Sequence, residues 1–276
     1  MGGWIRAIEG DKELLNWLYS MTQHLPLTVE AVYSHAVYVR VGSRQLVLLS
    51  QDEPVGPASL VVSCSRFDQQ WDDHGWVSWR TIGVGLFVVH LSEVRSYRSD
   101  LAAIAAWDSQ ALRGIIGQVW RHGDVLSHVS DEVLHERLQT HVRLLLRGLE
   151  NQDEAVIADS LRALIGLGPG STPTGDDLLV GLVVGLSISH PSWAKRLRRA
   201  IPLPPELARL TTIPSTVALS EAAAGRFFSL VNETVQWLGS PPSADNSCVQ
   251  GLLRRGHTSG RDTMAGIVLG LTAVSV

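Results

Sequence analysis

The chain is short of the features that usually announce a partner or a compartment. Only 18% of its 276 residues are charged and the net charge is −4. That is not the electrostatic footprint that nucleic acid or an anionic membrane surface requires, so neither is expected as a partner. Two cysteines, Cys64 and Cys248, lie far apart with no metal-ligand spacing. Such sparse use of cysteine favours a reducing compartment, and no structural bridge is expected. The most apolar stretches, Leu178 to Ile188 and Met264 to Val276, fall short of the roughly 20 residues that a membrane-crossing helix needs. The start, Met1-Gly2-Gly3-Trp4-Ile5-Arg6, has neither the apolar run of a secretory leader nor Ser or Thr at position 6 for myristoylation. A cytoplasmic location is the expectation.

What is present is ample core material, 45% hydrophobic residues, arranged in two textures. After a first helix at about Asp11 to Gln23, the segment from Thr28 to Leu91 is rich in Val, Leu, Ser and Gly and broken by turn residues. Val37 to Val41 and Gln45 to Leu49 flank Gly42-Ser43-Arg44 as a hairpin, with further strands at Ser59 to Ser63 and Val84 to His90. From about Ser99 apolar residues recur three and four apart, as in Leu134, Leu138, Val142, Leu145 and Leu149. The pattern predicts helices at Ser99 to Arg121, Asp131 to Leu149, Asp153 to Gly166, Gly175 to Ser187, Ser215 to Leu238, Ala244 to Arg254 and Gly260 to Val274. Pro202, Pro204 and Pro205 break one connection, and Gly239-Ser240-Pro241-Pro242 another. The fold class is therefore α+β: a mostly β sheet or small barrel over 1–95, then a helical domain over 96–276.

Most isolated features suit structure better than chemistry. Lys195-Arg196-Leu197-Arg198-Arg199 reads as the wet face of a short helix. Trp71, Trp76 and Trp79 read as a core or sheet-edge cluster, with a partner-subunit surface as the alternative. A single His35 beside Ala and Val reads as a satisfied structural residue.

The helical half repeats itself. Thr174-Gly175-Asp176-Asp177 opens one apolar helix and Ser259-Gly260-Arg261-Asp262 another. In both, a hydroxyl residue, Gly and Asp are followed by Gly181 and Gly185, or by Gly266 and Gly270, at a constant offset of 85 residues. Chance explains this poorly, although two copies are not a solenoid. The hydroxyl and the carboxylate three residues later resemble a capping box, with Thr174 and Ser259 as caps. Glycine costs about 1 kcal/mol in an ordinary helix interior. The four-residue spacing predicts that the two helices pack through their glycines, opening their N-termini into a common space.

The loops before these helices differ. Leu167-Gly168-Pro169-Gly170-Ser171-Thr172-Pro173 offers backbone N–H groups and two hydroxyls at a helix start, a good site for phosphate or carboxylate. It lacks the lysine of a phosphate-binding P-loop, and no dinucleotide fingerprint follows a strand. Arg254-Arg255-Gly256-His257-Thr258 supplies charge that a plain cap does not need. His257 and Asp176 are the candidate catalytic residues. The candidate ligand-binding residues are Gly168, Gly170, Ser171, Thr172, Thr174, Gly175 and Asp177 at the first start, and Arg254, Arg255, Gly256, Thr258, Ser259, Gly260 and Asp262 at the second. No cofactor is implied. A divalent-metal reading through Asp176, Asp177, Asp262 and His257 lacks diagnostic spacing. No Gly-x-Ser-x-Gly elbow supports a serine hydrolase.

At these residues, from Gly168 to Asp177 and from Gly256 to Asp262, the chain resembles a bacterial family long labelled a domain of unknown function. Its members include one subunit of the oxamate carbamoyltransferase of allantoin degradation. The likeness extends more loosely to Val32-Tyr33-Ser34-His35-Ala36 and to the Thr211-Thr212 to Ala224 region. Ser171 stands where the family usually has a larger apolar residue, and Thr174 where it has Ser. The resemblance implies partner protein subunits and a reaction converting oxalurate and phosphate to oxamate and carbamoyl phosphate, hence a small anionic substrate. The alternative is a non-catalytic module that docks on a catalytic partner.

Overall fold

The computed structural model describes residues 3–67, 73–120, 123–240 and 245–273. Trp71, Pro241 and Pro242, and the expected helix ends at Arg121, Ala244 and Val274, lie outside them. Contacts divide the chain into two compact units, Met1–Asp100 with Phe227–Ser229, and Leu101–Arg226 with Leu230–Val276. The class is α+β.

Among the described residues the first unit has nine strands: β1 (Gly3–Asp11), β2 (Leu25–Tyr33), β3 (Ala36–Val41), β4 (Arg44–Leu49), β5 (Ser59–Val62), β6 (His74–Ser78), β7 (Thr81–Val84), β8 (Phe87–His90) and β9 (Arg95–Tyr97). Their order, β5-β4-β3-β2-β6-β7-β8-β1-β9, closes on itself because β1 also pairs with β5. β1 does this by dividing its length. Gly3 to Arg6 run parallel to β8, whereas Ala7 to Gly10 pair antiparallel with β5, across a register shift between Ala7 and Glu9. Eight strands enclose a space that side chains alone can fill. Val37, Val39 and Val41 alternate inward along β3 and meet Leu46, Leu48, Leu60, Val77, Ile82 and Val89. Helix α1 (Lys12–Ser20), capped by Asp11 on the Leu14 N–H, adds Leu14, Leu15 and Leu18 to this core.

The expected strand at Val84 to His90 is two strands, β7 and β8, because Gly85 takes a left-handed φ of 55° and turns the chain. Trp76 lies on β6 over Gly83 of β7, and Trp79 is 57% exposed with the Arg80 guanidinium 4.7 Å from its ring. His35 Nδ1 is 3.1 Å from the Ser50 hydroxyl.

The second unit is helical: α2 (Ser109–Val119), α3 (Glu132–Asn151), α4 (Glu154–Leu164), α5 (Thr174–Ser189), α6 (Pro191–Ala200), α7 (Pro204–Leu210), α8 (Ile213–Ala224), α9 (Ser229–Leu238), α10 (Ser247–Arg254) and α11 (Ser259–Leu271). α2 starts ten residues later than its periodicity suggests, where Asp108 accepts from the Gln110 and Ala111 N–H groups. The single helix expected from Ser215 to Leu238 is broken into α8 and α9. Gly225, at φ 82°, ends α8 in the left-handed conformation that favours glycine. The basic cluster lies in α6, with Leu197 buried and Arg199 exposed. None of the described helices is long and apolar enough to cross a membrane.

α5 and α11 are buried along most of their length and pack directly on each other. A β-carbon on Gly181 would overlap the Thr263 carbonyl oxygen, and one on Gly266 the Leu178 carbonyl oxygen. On Gly185 and Gly270 it would stand 2.8 Å from the other glycine's Cα. The four glycines thus bring two backbones into contact at the cost of helix propensity, and both helix starts come to the same side of the unit.

Candidate functional site

The two starts are local copies of one construction. A β-carbon on Gly175 would overlap the Leu164 carbonyl oxygen at the end of α4, and one on Gly260 the Leu252 carbonyl oxygen in α10. The Gly175 N–H donates to the Leu167 carbonyl at 2.8 Å, and the Gly260 N–H to the Arg255 carbonyl at 3.1 Å. Gly168 and Gly256, one residue beyond each acceptor, both take positive φ, 120° and 60°. Each repeat is therefore a helix, a left-handed turn and a second helix seated on the first through glycine. The loops differ by three residues between the turn and the second helix.

Thr174 and Ser259 are not caps. Pro173 and Thr258 hold the cap positions, and neither helix has a side-chain cap hydrogen bond. A capping box needs the cap's own N–H for the carboxylate, and Pro173 has none. At α5 this leaves Asp176 free for other partners, and with the caps one residue earlier than Thr174 and Ser259 the carboxylates of Asp177 and Asp262 fall beyond the box position. The Gly166 N–H donates to Asp176 Oδ1 at 2.8 Å and the Thr211 hydroxyl to Asp176 Oδ2. Burial raises the Asp176 carboxyl above its ordinary value, while the Thr211, Gly166 and Ser215 donors pull it back. Asp177 is buried as well. Burial pushes it up to about 7, against the opposing pull of the Ser259 hydroxyl, the Arg255 charge and the Thr172 hydroxyl, while nearby Asp262 adds to the rise. Asp177 Oδ2 and Ser259 Oγ are buried without meeting hydrogen-bond geometry, although the hydroxyl is close enough to favour the charged carboxylate.

Asp262 is fully buried and takes a partner from far along the chain. His128 Nε2 lies 2.6 Å from Asp262 Oδ1, and the Trp120 indole N–H donates to His128 Nδ1 at 3.1 Å. An indole nitrogen only donates, so Nδ1 holds a lone pair and the ring proton sits on Nε2, facing the carboxylate. Asp262 Oδ2 is buried and has no hydrogen-bond partner among the described residues.

These elements border a cleft of about 510 Å³. The first loop contributes Pro169, Gly170, Ser171, Thr172 and Thr174, and the second Gly256, His257, Thr258, Ser259 and Asp262. A third wall comes from His128, Val129, Ser130, Asp131 and Leu134 at the start of α3, where Asp131 accepts the Leu134 N–H at 3.0 Å. Three helix N-termini therefore border one space.

Of the residues singled out from sequence, Asp176, Asp177, Gly168, Gly175, Gly260, Arg254 and Arg255 do not line the cleft. Arg254 is exposed, Arg255 lies where its charge acts on Asp177, and the glycines serve packing and turns. His128, Ser130 and Asp131 were not singled out. Asp131, read as the start of a helix, was the available signal, because a third helix start belongs in the same search as the other two. No group of three or more His, Cys, Asp or Glu among the described residues is placed to hold a metal ion.

Residues 164–271 match the family model of the oxamate carbamoyltransferase subunit AllH. The match runs from Leu164, whose carbonyl supports Gly175, to Leu271 at the end of α11. It takes in both motif loops and both glycine-packed helices, and so supports the resemblance carried by the motifs. Strands β1 to β9 and the α3 wall of the cleft lie outside the AllH match. No solved structure matches the chain.

Proposed function

We propose that this chain is a subunit of a carbamoyl- or acyl-transferring enzyme of the oxamate carbamoyltransferase type, and that its cleft binds a small phosphate, carbamoyl or carboxylate compound. The observation that carries the reading is the convergence of both motif loops and the α3 start on one cleft. Helix N-termini and the Ser171, Thr172 and Thr258 hydroxyls suit an anion, and His257, exposed at the rim, adds a donor. Transfer of this kind needs chiefly positioning and stabilisation of charge on oxygen, which such donors supply.

A thermal-shift screen of the full chain with phosphate, carbamoyl phosphate and oxamate tests the reading, because a ligand at about 100 times its Kd stabilises by roughly 2.7 kcal/mol. At least one should raise Tm, and His257→Ala should reduce that shift while leaving the ligand-free Tm unchanged. Absence of any shift sinks the ligand-binding cleft. The second reading, an assembly module, is favoured by Trp4 and Trp79, 71% and 57% exposed on the barrel unit. It predicts capture of the partner subunit that fails in Trp79→Ala.

A further inference from the structure

The ligand-facing chemistry of Asp262 goes beyond anion binding and rests on the proposal that this cleft holds the ligand. Asp262 is a buried carboxylate that lines the cleft, and its two oxygens are not equivalent. Oδ1 receives the His128 Nε2 proton, while Oδ2 has no partner among the described residues. The direction of the first bond is set from behind. Trp120, itself buried, supplies an N–H to Nδ1, which forbids a proton there and leaves the ring only one way to donate. His128 is nearly buried too, with 6% of its side chain exposed, so water does not substitute for either partner.

We propose that Asp262 Oδ2 is a ligand-orienting acceptor that takes an N–H from the bound molecule, with Trp120 and His128 as positioning residues. A buried acceptor without a partner costs free energy, and a ligand N–H arriving there removes that cost. The helix N-termini act on the opposite sign of charge. The cleft would then read a ligand by polarity, its anionic group towards the helix starts and its N–H towards Asp262.

Oxamate and pyruvate make the test direct, because they have the same size and charge and differ in NH2 against CH3. Calorimetric titration of the full parent chain should show oxamate preferred by roughly tenfold or more, the range of one hydrogen bond to a charged acceptor. In Asp262→Asn, His128 would hold the amide oxygen and turn the amide NH2 towards the ligand, so the preference should disappear. Trp120→Phe should weaken it and, in the ligand-free protein, change the His128 15N shifts from the pure Nε2–H tautomer to a mixture. The NMR measurement tests the positioning relay whether or not a ligand binds and covers the case of a misfolded Asp262→Asn. Equal binding of oxamate and pyruvate by the parent overturns the acceptor role alone. Binding of neither overturns the ligand cleft and the acceptor with it. A His128 ring protonated on Nδ1 overturns the relay.

Discussion

The starts of α5 and α11 share a motif, a glycine seat and a buried aspartate, yet they treat that aspartate in opposite ways. Asp177 at α5 is walled off from the cleft and pushed up to about 7, so near neutral pH it is only partly ionised. Asp262 at α11 lines the cleft and receives the proton of an oriented histidine. The same four-residue signature therefore makes a partly protonated internal post in one copy and a held acceptor in the other. The cause lies outside the motif, in the presence of His128 beside one carboxylate and not the other. A repeat carries over a backbone construction; the chemistry at each copy depends on what is packed against it.

The comparison is broken most severely by separating the helices. Gly181→Leu and Gly266→Leu must each displace a carbonyl oxygen of the neighbouring helix, so the 1–3 kcal/mol typical of overpacking is about the minimum expected. Either variant should lose cooperative unfolding in chemical denaturation, and a parent-like midpoint would show that the two starts are not joined through these glycines.

A smaller effect sharpens the contrast between the aspartates. The Asp177 carboxyl is raised from 3.8 to about 7 on folding, so the unfolded chain releases its proton first as pH rises. The folded state bears no penalty below about pH 4, loses stability between about pH 4 and 7, and loses no more above. At about 1.36 kcal/mol per unit the full penalty is at most on the order of 4 kcal/mol. Asp177→Asn resembles the protonated acid and should remove it. Urea unfolding should find the variant more stable than the parent at pH 8 and alike at pH 4. Greater stability of the parent at pH 8 would overturn the raised Asp177 carboxyl.

The smallest effect concerns the longer loop alone. Thr212 accepts the Ser215 N–H at 3.3 Å at the start of α8 and donates its hydroxyl to the Ser171 carbonyl at 2.6 Å. Thr212→Ala should cost about 1 kcal/mol and raise hydrogen exchange in the 168–173 loop without changing the 256–258 loop. Equal loosening of both would show that the loops are not independently tethered.

Much of this was legible in the residues. The switch from strand grammar to helical periodicity separates the barrel from the helices, and paired glycines at constant offset predict the α5–α11 contact, because both signals are local and periodic. Barrel closure was not legible. It depends on β1 pairing with both β8 and β5, a choice made between strands far apart in sequence. Gly225 was a readable stop that the continuing apolar pattern obscured. The hydroxyl-Gly-x-Asp pattern fits a capping box at Thr174 and Ser259, but the chain turns into each helix one residue earlier, at Pro173 and Thr258.

Local sequence was enough for the helical character of both motif segments and for the glycine packing of α5 on α11, since these signals recur at fixed spacing along the chain. Only the tertiary structure decided that His128, 134 residues from Asp262, completes one copy and leaves the other closed. Hydrogen-bond direction and burial belong to atoms brought together by folding, and no spacing along the chain encodes which of two identical carboxylates will meet the histidine.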